Sequence, residues 1–149
     1  MAVQPYYAQV TGTDAFVDVR AGTTRKVGSV LVVDDQASMR AFVTRLLRDI
    51  GVQEIGEAAS GPDAFKALHE RRWDVLLVDI EMAPVDGLTL LKGIRGTPQF
   101  AAQSVILMTA SRNVAHVRAA ERLKATGVMV KPFTALQLRE KLSRPVSSS

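Results

Sequence analysis

Asp34, Asp35, Asp79, Thr109 and Lys131 are the side chains of this 149-residue chain whose types and positions could do chemistry together. Each follows a short apolar run. VLVV (30–33) delivers Asp34 and Asp35, VLLV (75–78) delivers Asp79, VILM (105–108) Thr109, and VMV (128–130) Lys131. A lone aspartate after such a run is ordinarily a helix cap or a turn former. Four polar endings of complementary type are harder to assign to capping. Three carboxylates brought together repel one another, so a site built from them must hold protons or bind a cation. The chain has no cysteine and no convergent pair of histidines. An all-oxygen ligand set then favours a hard ion, Mg²⁺ or Mn²⁺, over zinc. A divalent ion beside Asp79 would neutralise phosphate oxygens and leave the carboxylate to attack phosphorus. Thr109 would be the hydrogen-bond donor, and Lys131 the counter-charge, for the phosphoryl group that arrives. These parts suit phosphoryl transfer to a carboxylate.

The runs that carry these residues alternate with helical patterns. Val30–Val33 is continuously apolar and β-branched, as expected of a strand covered on both faces. Met39, Phe42, Val43, Leu46, Leu47 and Ile50 then recur at helical spacing, with Gly51 as a stop. A weaker strand is expected over 52–58, and Pro62 opens a short helix carrying Phe65 and Leu68. Val75–Val78 is the third strand. Leu88, Leu91 and Ile94 mark the next helix, ended near Gly96 and Pro98. Val105–Met108 is the fourth strand, 114–125 is helical, and Val128–Val130 is the fifth strand. Thr134 with Gln137 forms a capping-box signal for a last helix carrying Leu138 and Leu142. Five βα units predict a doubly wound α/β domain, a five-stranded parallel sheet with five helices on its two faces. The C-terminal ends of all strands in such a sheet lie along one edge, so the four polar endings are expected to meet there.

Composition narrows the class further. Apolar residues make up 47% of the chain, enough for a sizeable core. Without cysteine there is no disulfide framework, thiolate metal site or thiol catalysis. No apolar run approaches the roughly 20 residues needed to span a bilayer, and MAVQPYYAQV lacks the charged-then-apolar pattern of a signal peptide. A cytoplasmic protein is expected. The net charge of +4 is scattered among many acids, and only Arg20, Arg25 and Lys26 cluster; a solvated surface is favoured over a nucleic-acid patch. Residues 1–28 read as a flexible extension with at most a short strand over 15–20, and residues 144–149 as a frayed tail.

VLVVDD (Asp34, Asp35), LLVDIEMAPVDG (Asp79, Met82, Asp86, Gly87), MTA (Thr109, Ala110) and VKPF (Lys131, Pro132) occur in an order and spacing that resembles the receiver domain of two-component response regulators. The resemblance assigns residues 29–143 to that domain and implies a flavodoxin-like strand order, 2-1-3-4-5. It implies that Asp79 is the phosphoacceptor. It also implies that Mg²⁺ is held by Asp35 directly, by Asp34 through water, by Asp79 and by the backbone carbonyl of Glu81. Thr109 would move toward the phosphoryl group, Lys131 would pair with the aspartate or its phosphate, and the Lys131–Pro132 peptide would be cis.

Three departures from the family pattern stand out. Proline commonly follows the methionine of the acceptor loop directly; here Ala83 intervenes and Pro84 comes one place later. Tyr or Phe often stands three residues before the lysine as a rotamer switch; here Val128 holds that place, so an aromatic switch coupled to Thr109 is lacking there. Glu81, two residues after the acceptor, is expected to tune how long the phosphate survives. Other candidates are weaker. His116 is expected to face solvent among arginines, and His69 to lie on a polar helix end. Trp73 is expected to pack at the start of the third strand, and Met82 and Met108 to fill the core.

The reading that follows is a stand-alone receiver. It takes a phosphoryl group from a histidine kinase or a histidine phosphotransfer protein, with no catalysis beyond its own phosphorylation and dephosphorylation. Too few residues follow Leu142 for a DNA-binding output domain. Output is therefore expected through an unnamed protein target near the fourth helix, fourth strand and fifth helix, through relay, or as a phosphate sink. A Mg²⁺-dependent phosphohydrolase of the haloacid dehalogenase type uses similar parts. In that class the nucleophile motif comes first and the paired acids last; this chain has the reverse order and no room for a substrate cap.

Overall fold

The computed structural model describes residues 27–143 and, before them, the backbone of residues 16–18 and 23–25. The runs SVLVV, VLLVD and VILMT are buried at every position, the pattern of strands covered on both faces. In chain order the elements are β1 (Phe16–Asp18), β2 (Thr23–Arg25), β3 (Ser29–Val33), α1 (Ala37–Asp49), β4 (Glu54–Ala58), α2 (Gly61–Glu70), β5 (Val75–Asp79), α3 (Gly87–Arg95), a 3₁₀ turn (Pro98–Phe100), β6 (Val105–Thr109), α4 (Val114–Arg122), β7 (Gly127–Val130) and α5 (Ala135–Ser143).

Strands β4-β3-β5-β6-β7 form one parallel sheet. Counted within that sheet the order is 2-1-3-4-5, as expected. One side packs Val43 and Leu47 of α1 and Leu138 and Leu142 of α5 onto Val30, Val32, Leu77 and Ile106. The other packs Ala64 and Leu68 of α2, Leu91 and Ile94 of α3 and Ala120 of α4 onto Leu31, Val33, Leu76 and Leu107. Register places the polar endings. Val33 pairs with Val78, which sets Asp34 level with Asp79. Asp79 pairs with Met108 and Thr109 with Val130, which sets Thr109 and Lys131 each one step further along the same edge.

Local signals account for the helix ends. Ser60 accepts from Asp63 N–H at 3.2 Å and caps α2. Asp86 accepts from Thr89 N–H at 2.8 Å and caps α3. Thr134 and Gln137 complete the expected capping box, at 3.1 and 2.9 Å. Gly51, with φ +98°, turns the chain out of α1, a conformation open to glycine at little cost.

The structure differs from expectation in three places. Phe42 belongs to the apolar stripe of α1 by spacing, yet it is 42% exposed and meets the Phe133 ring at 6.4 Å; its position lies at the margin of the buried face. Helix α4 stops at Arg122, short of Ala125, because Lys124 takes a left-handed conformation (φ 61°). The expected short strand over 15–20 overlaps β1, but its antiparallel partner β2 carries no hydrophobic alternation to announce it. The extension expected over 1–28 ends earlier than that, because Val27 is buried in the core and Gly28 N–H donates to Asp74 Oδ2 at 2.7 Å. Residues 1–15, 19–22 and 26, Arg20 and Lys26 among them, and the tail 144–149 lie outside the described residues.

Arg95 holds the left-handed end of α4. Its guanidinium donates to the carbonyl of Lys124 at 3.2 and 2.9 Å, and to those of Ala101 and Gln103 at 3.1 and 2.7 Å. One planar fork thus satisfies three carbonyls from two loops. Arg95→Met is expected to lower the urea midpoint by the equivalent of about 2 kcal/mol, because carbonyls lose their donors. Arg95→Lys is expected to recover only part of this, since a single ammonium cannot span all three.

Candidate functional site

At the carboxyl edge of the sheet, β3, β5, β6 and β7 bring Asp34, Asp79, Thr109 and Lys131 into one cluster, with Asp35 from the loop after β3. Asp34 is fully buried and Asp79 is 3% exposed. Asp34 is tied down by its neighbours: its N–H donates to Ala58 O at 3.1 Å, its Oδ1 accepts from Gln36 N–H at 2.9 Å, and its carbonyl accepts from Arg40 Nη1 at 2.7 Å. Arg40 also donates to Glu57 Oε1 at 2.9 Å, bracing the turn that carries the acid pair. Asp35 is exposed, and its Oδ2 accepts from Ala83 N–H at 3.1 Å, which links the acid pair to the loop after β5.

Lys131 Nζ lies 3.1 Å from Asp79 Oδ1 and 3.8 Å from Asp34 Oδ2. One cation therefore faces two buried carboxylates. Burial is the largest influence on Asp79 and pushes it up from 3.8 to about 6; the Lys131 hydrogen bond and charge work against this, and the charges of Asp34 and Glu81 add to it. Asp34 Oδ2 is buried and accepts no hydrogen bond. A buried carboxylate oxygen without a donor is costly unless a cation faces it. Asp34, Asp35 and Asp79 each offer an oxygen within 4.8 Å of the other two. The donor set is all oxygen, as a hard divalent ion requires.

Thr109 is fully buried, and its Oγ1 donates to Glu81 Oε2 at 2.6 Å. Glu81 Oε1 accepts from Ala110 N–H at 3.0 Å. The Lys131 N–H donates to the Thr109 carbonyl at 2.7 Å, locking the two strand endings together. Both Lys131–Pro132 and Ala83–Pro84 are cis peptides; the second involves the displaced proline of the loop after β5. Val128 is half-buried on β7, packed against the cluster that holds Leu107 and Ala120. Asp86 serves α3 as its cap and takes no place among the three clustered acids.

Some participants were not anticipated from the sequence. The backbone N–H groups of Ala83 and Ala110 carry no side-chain signature. Arg40 looks like any other base on an amphipathic helix. His116, expected among solvent-facing arginines, instead brings Nδ1 to 3.8 Å from Glu81 Oε2. It sits in the first turn of α4, directly after the loop that leaves β6, and that placement was the available signal. Trp73 is half-buried as expected at the start of β5. Its indole covers Gly56, donates to Ala67 O at 3.1 Å and lies under the Arg71 guanidinium at 4.2 Å.

Comparison with known proteins decides the family. Residues 30–143 match the response regulator receiver domain. The chain belongs to the response regulator receiver family. It is 34% identical to the chemotaxis protein CheY of Pseudomonas aeruginosa over 115 residues, covering 77% of this chain and 93% of that protein. It is 36% identical to the chemotaxis protein CheY-3 of Vibrio cholerae, covering 77% of this chain and 88% of that one. Among solved structures, CheY4 of Vibrio cholerae superposes with a TM-score of 0.72 at 31% identity, over 79% of this chain and 97% of that one. The response regulator TrrA of Thermotoga maritima, solved with Mg²⁺-BeF, gives 0.66 at 30% identity, over 76% and 94%. Nothing in these likenesses supports the phosphohydrolase alternative. A receiver is a two-component signalling domain, and the family works with kinases or phosphotransfer proteins and downstream targets. Among the described residues no helix is long and apolar enough to cross a membrane.

Proposed function

We propose that this receiver accepts a phosphoryl group on Asp79 from a histidine kinase or histidine phosphotransfer protein in the cytoplasm, and signals through phosphorylation-dependent protein contacts. The observation that carries this reading is Asp79 itself: a nearly buried carboxylate held 3.1 Å from Lys131 Nζ beside two further acids. In the transfer, an Asp79 oxygen forms a bond to phosphorus while the bond from phosphorus to the donor histidine nitrogen breaks, and that nitrogen keeps the electron pair. In the reversal, a water oxygen bonds to phosphorus, the bond to Asp79 breaks, and inorganic phosphate leaves. No further catalysis is assigned to the domain.

Asp34, Asp35, Asp79 and the Glu81 carbonyl would hold Mg²⁺ or Mn²⁺. The Mg²⁺ in the TrrA complex and the bare Asp34 Oδ2 support this assignment. Such an ion supplies charge neutralisation for the phosphoryl oxygens. Lys131 presents its ammonium to the same group, and Thr109 its hydroxyl. Val128 offers no aromatic ring to report the event, so the signal must leave the site by another contact.

Incubation with Mg²⁺ and acetyl phosphate tests the proposal. Intact-mass measurement is expected to show one added phosphoryl group, lost on treatment with hydroxylamine and mapped to Asp79 by borohydride reduction and peptide sequencing. Phosphate that resists hydroxylamine, or that maps to a hydroxyl side chain, would sink it.

A further inference from the structure

Two donors that an arriving phosphoryl group needs are already occupied. Glu81 places one carboxylate oxygen on the Thr109 hydroxyl at 2.6 Å and the other on the Ala110 N–H at 3.0 Å. The Thr109 hydroxyl has a single proton to donate, so it cannot serve Glu81 and a phosphoryl oxygen together. Glu81 is therefore a competitor supplied by the protein. Its side chain is 40% exposed, which leaves it room to rotate.

Beyond it stands His116 in the first turn of α4. Its Nδ1 is buried and makes no hydrogen bond, yet it lies 3.8 Å from Glu81 Oε2. That separation is outside hydrogen-bond reach, and a small rotation of Glu81 closes it. A neutral imidazole can carry its proton on Nδ1, so the contact needs no change in charge on the ring. A phosphoryl group on Asp79 brings a charge of about −1.5 to −2 close to the carboxylate, which repels it toward α4.

We infer that His116 is a positioning residue for phosphorylation: it receives the Glu81 carboxylate when the phosphoryl group takes Thr109 and Ala110, so that phosphorylation is read out as a new contact on α4. The inference rests on the reading of Asp79 as acceptor. It supplies a route from the site to α4 that does not need an aromatic side chain at position 128. Glu81 in this arrangement opposes phosphorylation from its resting position, and His116 relieves that opposition.

A two-residue cycle tests this, with the single-turnover rate of phosphorylation by acetyl phosphate as one readout and the Nδ1 resonance of His116 as another. Glu81→Ala is expected to phosphorylate faster by roughly fivefold, the factor that one net hydrogen bond supports. His116→Leu is expected to be slower by a similar factor. His116→Asn, whose amide nitrogen can take the place of Nδ1, is expected to recover most of the loss. In the Glu81→Ala background His116→Leu should have no further effect, because the group it receives is gone. In the parent, the His116 Nδ1 resonance should shift on phosphorylation, and the shift should vanish in Glu81→Ala. An equal slowing by His116→Leu in both backgrounds, with the parent phosphorylated on Asp79, overturns the role of His116 alone. A parent that takes up no phosphoryl group overturns the acceptor reading and this inference with it.

Discussion

Asp79→Asn is expected to abolish phosphorylation and, with divalent ions chelated, to unfold at a higher temperature than the parent. The first effect follows from the proposed acceptor role, since the amide removes the oxygen that would attack phosphorus. The second follows from burial. Asp79 is 3% exposed and is pushed up to about 6, chiefly by desolvation. Between the ordinary value of 3.8 and about 6 the folded state binds more protons than the unfolded state, so stability falls as pH rises through that window. The contribution of Asp79 is fully present below 3.8 and is lost once the pH passes about 6. At neutral pH the ionised side chain therefore sits in the fold at a cost. A shift of this size corresponds to about 3 kcal/mol as an upper bound. That net shift already counts the opposing bond and charge of Lys131. The amide avoids the cost, and discounting the bound for relaxation of the site leaves an expected gain of about 1–2 kcal/mol. Thermal unfolding in a chelator at neutral pH should show the variant ahead, and the gap should close as the pH is lowered from 6 toward 4. Added Mg²⁺ should raise the melting temperature of the parent by mass action and erase most of the difference. A variant less stable than the parent in chelator would contradict the view that the acid cluster is held under electrostatic load.

Gly87→Ala is expected to be the most damaging single methyl addition near the site. A Cβ at Gly87 would collide with the Asp79 carbonyl oxygen and lie 2.9 Å from both Asp79 C and Ile80 Cα. All three are backbone atoms at the strand end that carries the Asp79 carboxylate, so no side chain can turn away to make room. The glycine is also fastened there, since its N–H donates to Ile80 O at 2.9 Å as α3 begins. Relief requires β5 and α3 to separate, which costs about 3 kcal/mol by analogy with overpacked cores and lowers the melting temperature by on the order of 10 °C. The same separation displaces the Asp79 carboxylate from Lys131, so surviving folded protein should also phosphorylate more slowly. Gly93→Ala is the control. Its Cβ would touch only the Phe65 ring at 3.4 Å, inside a helix where alanine is favoured, and its melting temperature should stay near that of the parent. A Gly87→Ala protein with unchanged unfolding would mean that the approach of α3 to the end of β5 is not as tight as described.

The strength of the first prediction comes from crowding, and crowding is also why this site could be seen in one dimension. An apolar run that ends in a charge is conspicuous, and a parallel sheet sends every such ending to the same edge. Asp34, Asp79, Thr109 and Lys131 therefore announced both their meeting at one edge and the topology that gathers them. Side chains outside that rule did not announce themselves. Arg40 and Arg95 each occupy a helix position where an exposed base is ordinary. What sets them apart is the carbonyls they meet, of Asp34 in one case and of Ala101, Gln103 and Lys124 in the other. Phe42 erred the other way, because periodicity reports a face and cannot report where the neighbouring element stops.

The sequence by itself determined the alternation of strand and helix, the burial of the central strands on both faces, the capping box of Thr134 and Gln137, and the set of polar endings. These are properties of period, propensity and local hydrogen bonding, which act over a few residues. Only the tertiary structure decided that Asp34 Oδ2 is left without a donor, that Gly87 has no room for a methyl group, and that Glu81 lies across Thr109 and Ala110 with His116 behind it. Each of these depends on distances between residues far apart in the chain, fixed to fractions of an ångström by the packing of helices on the sheet. No local pattern encodes them, since an exposed glutamate and a helix histidine read the same wherever the fold happens to place them.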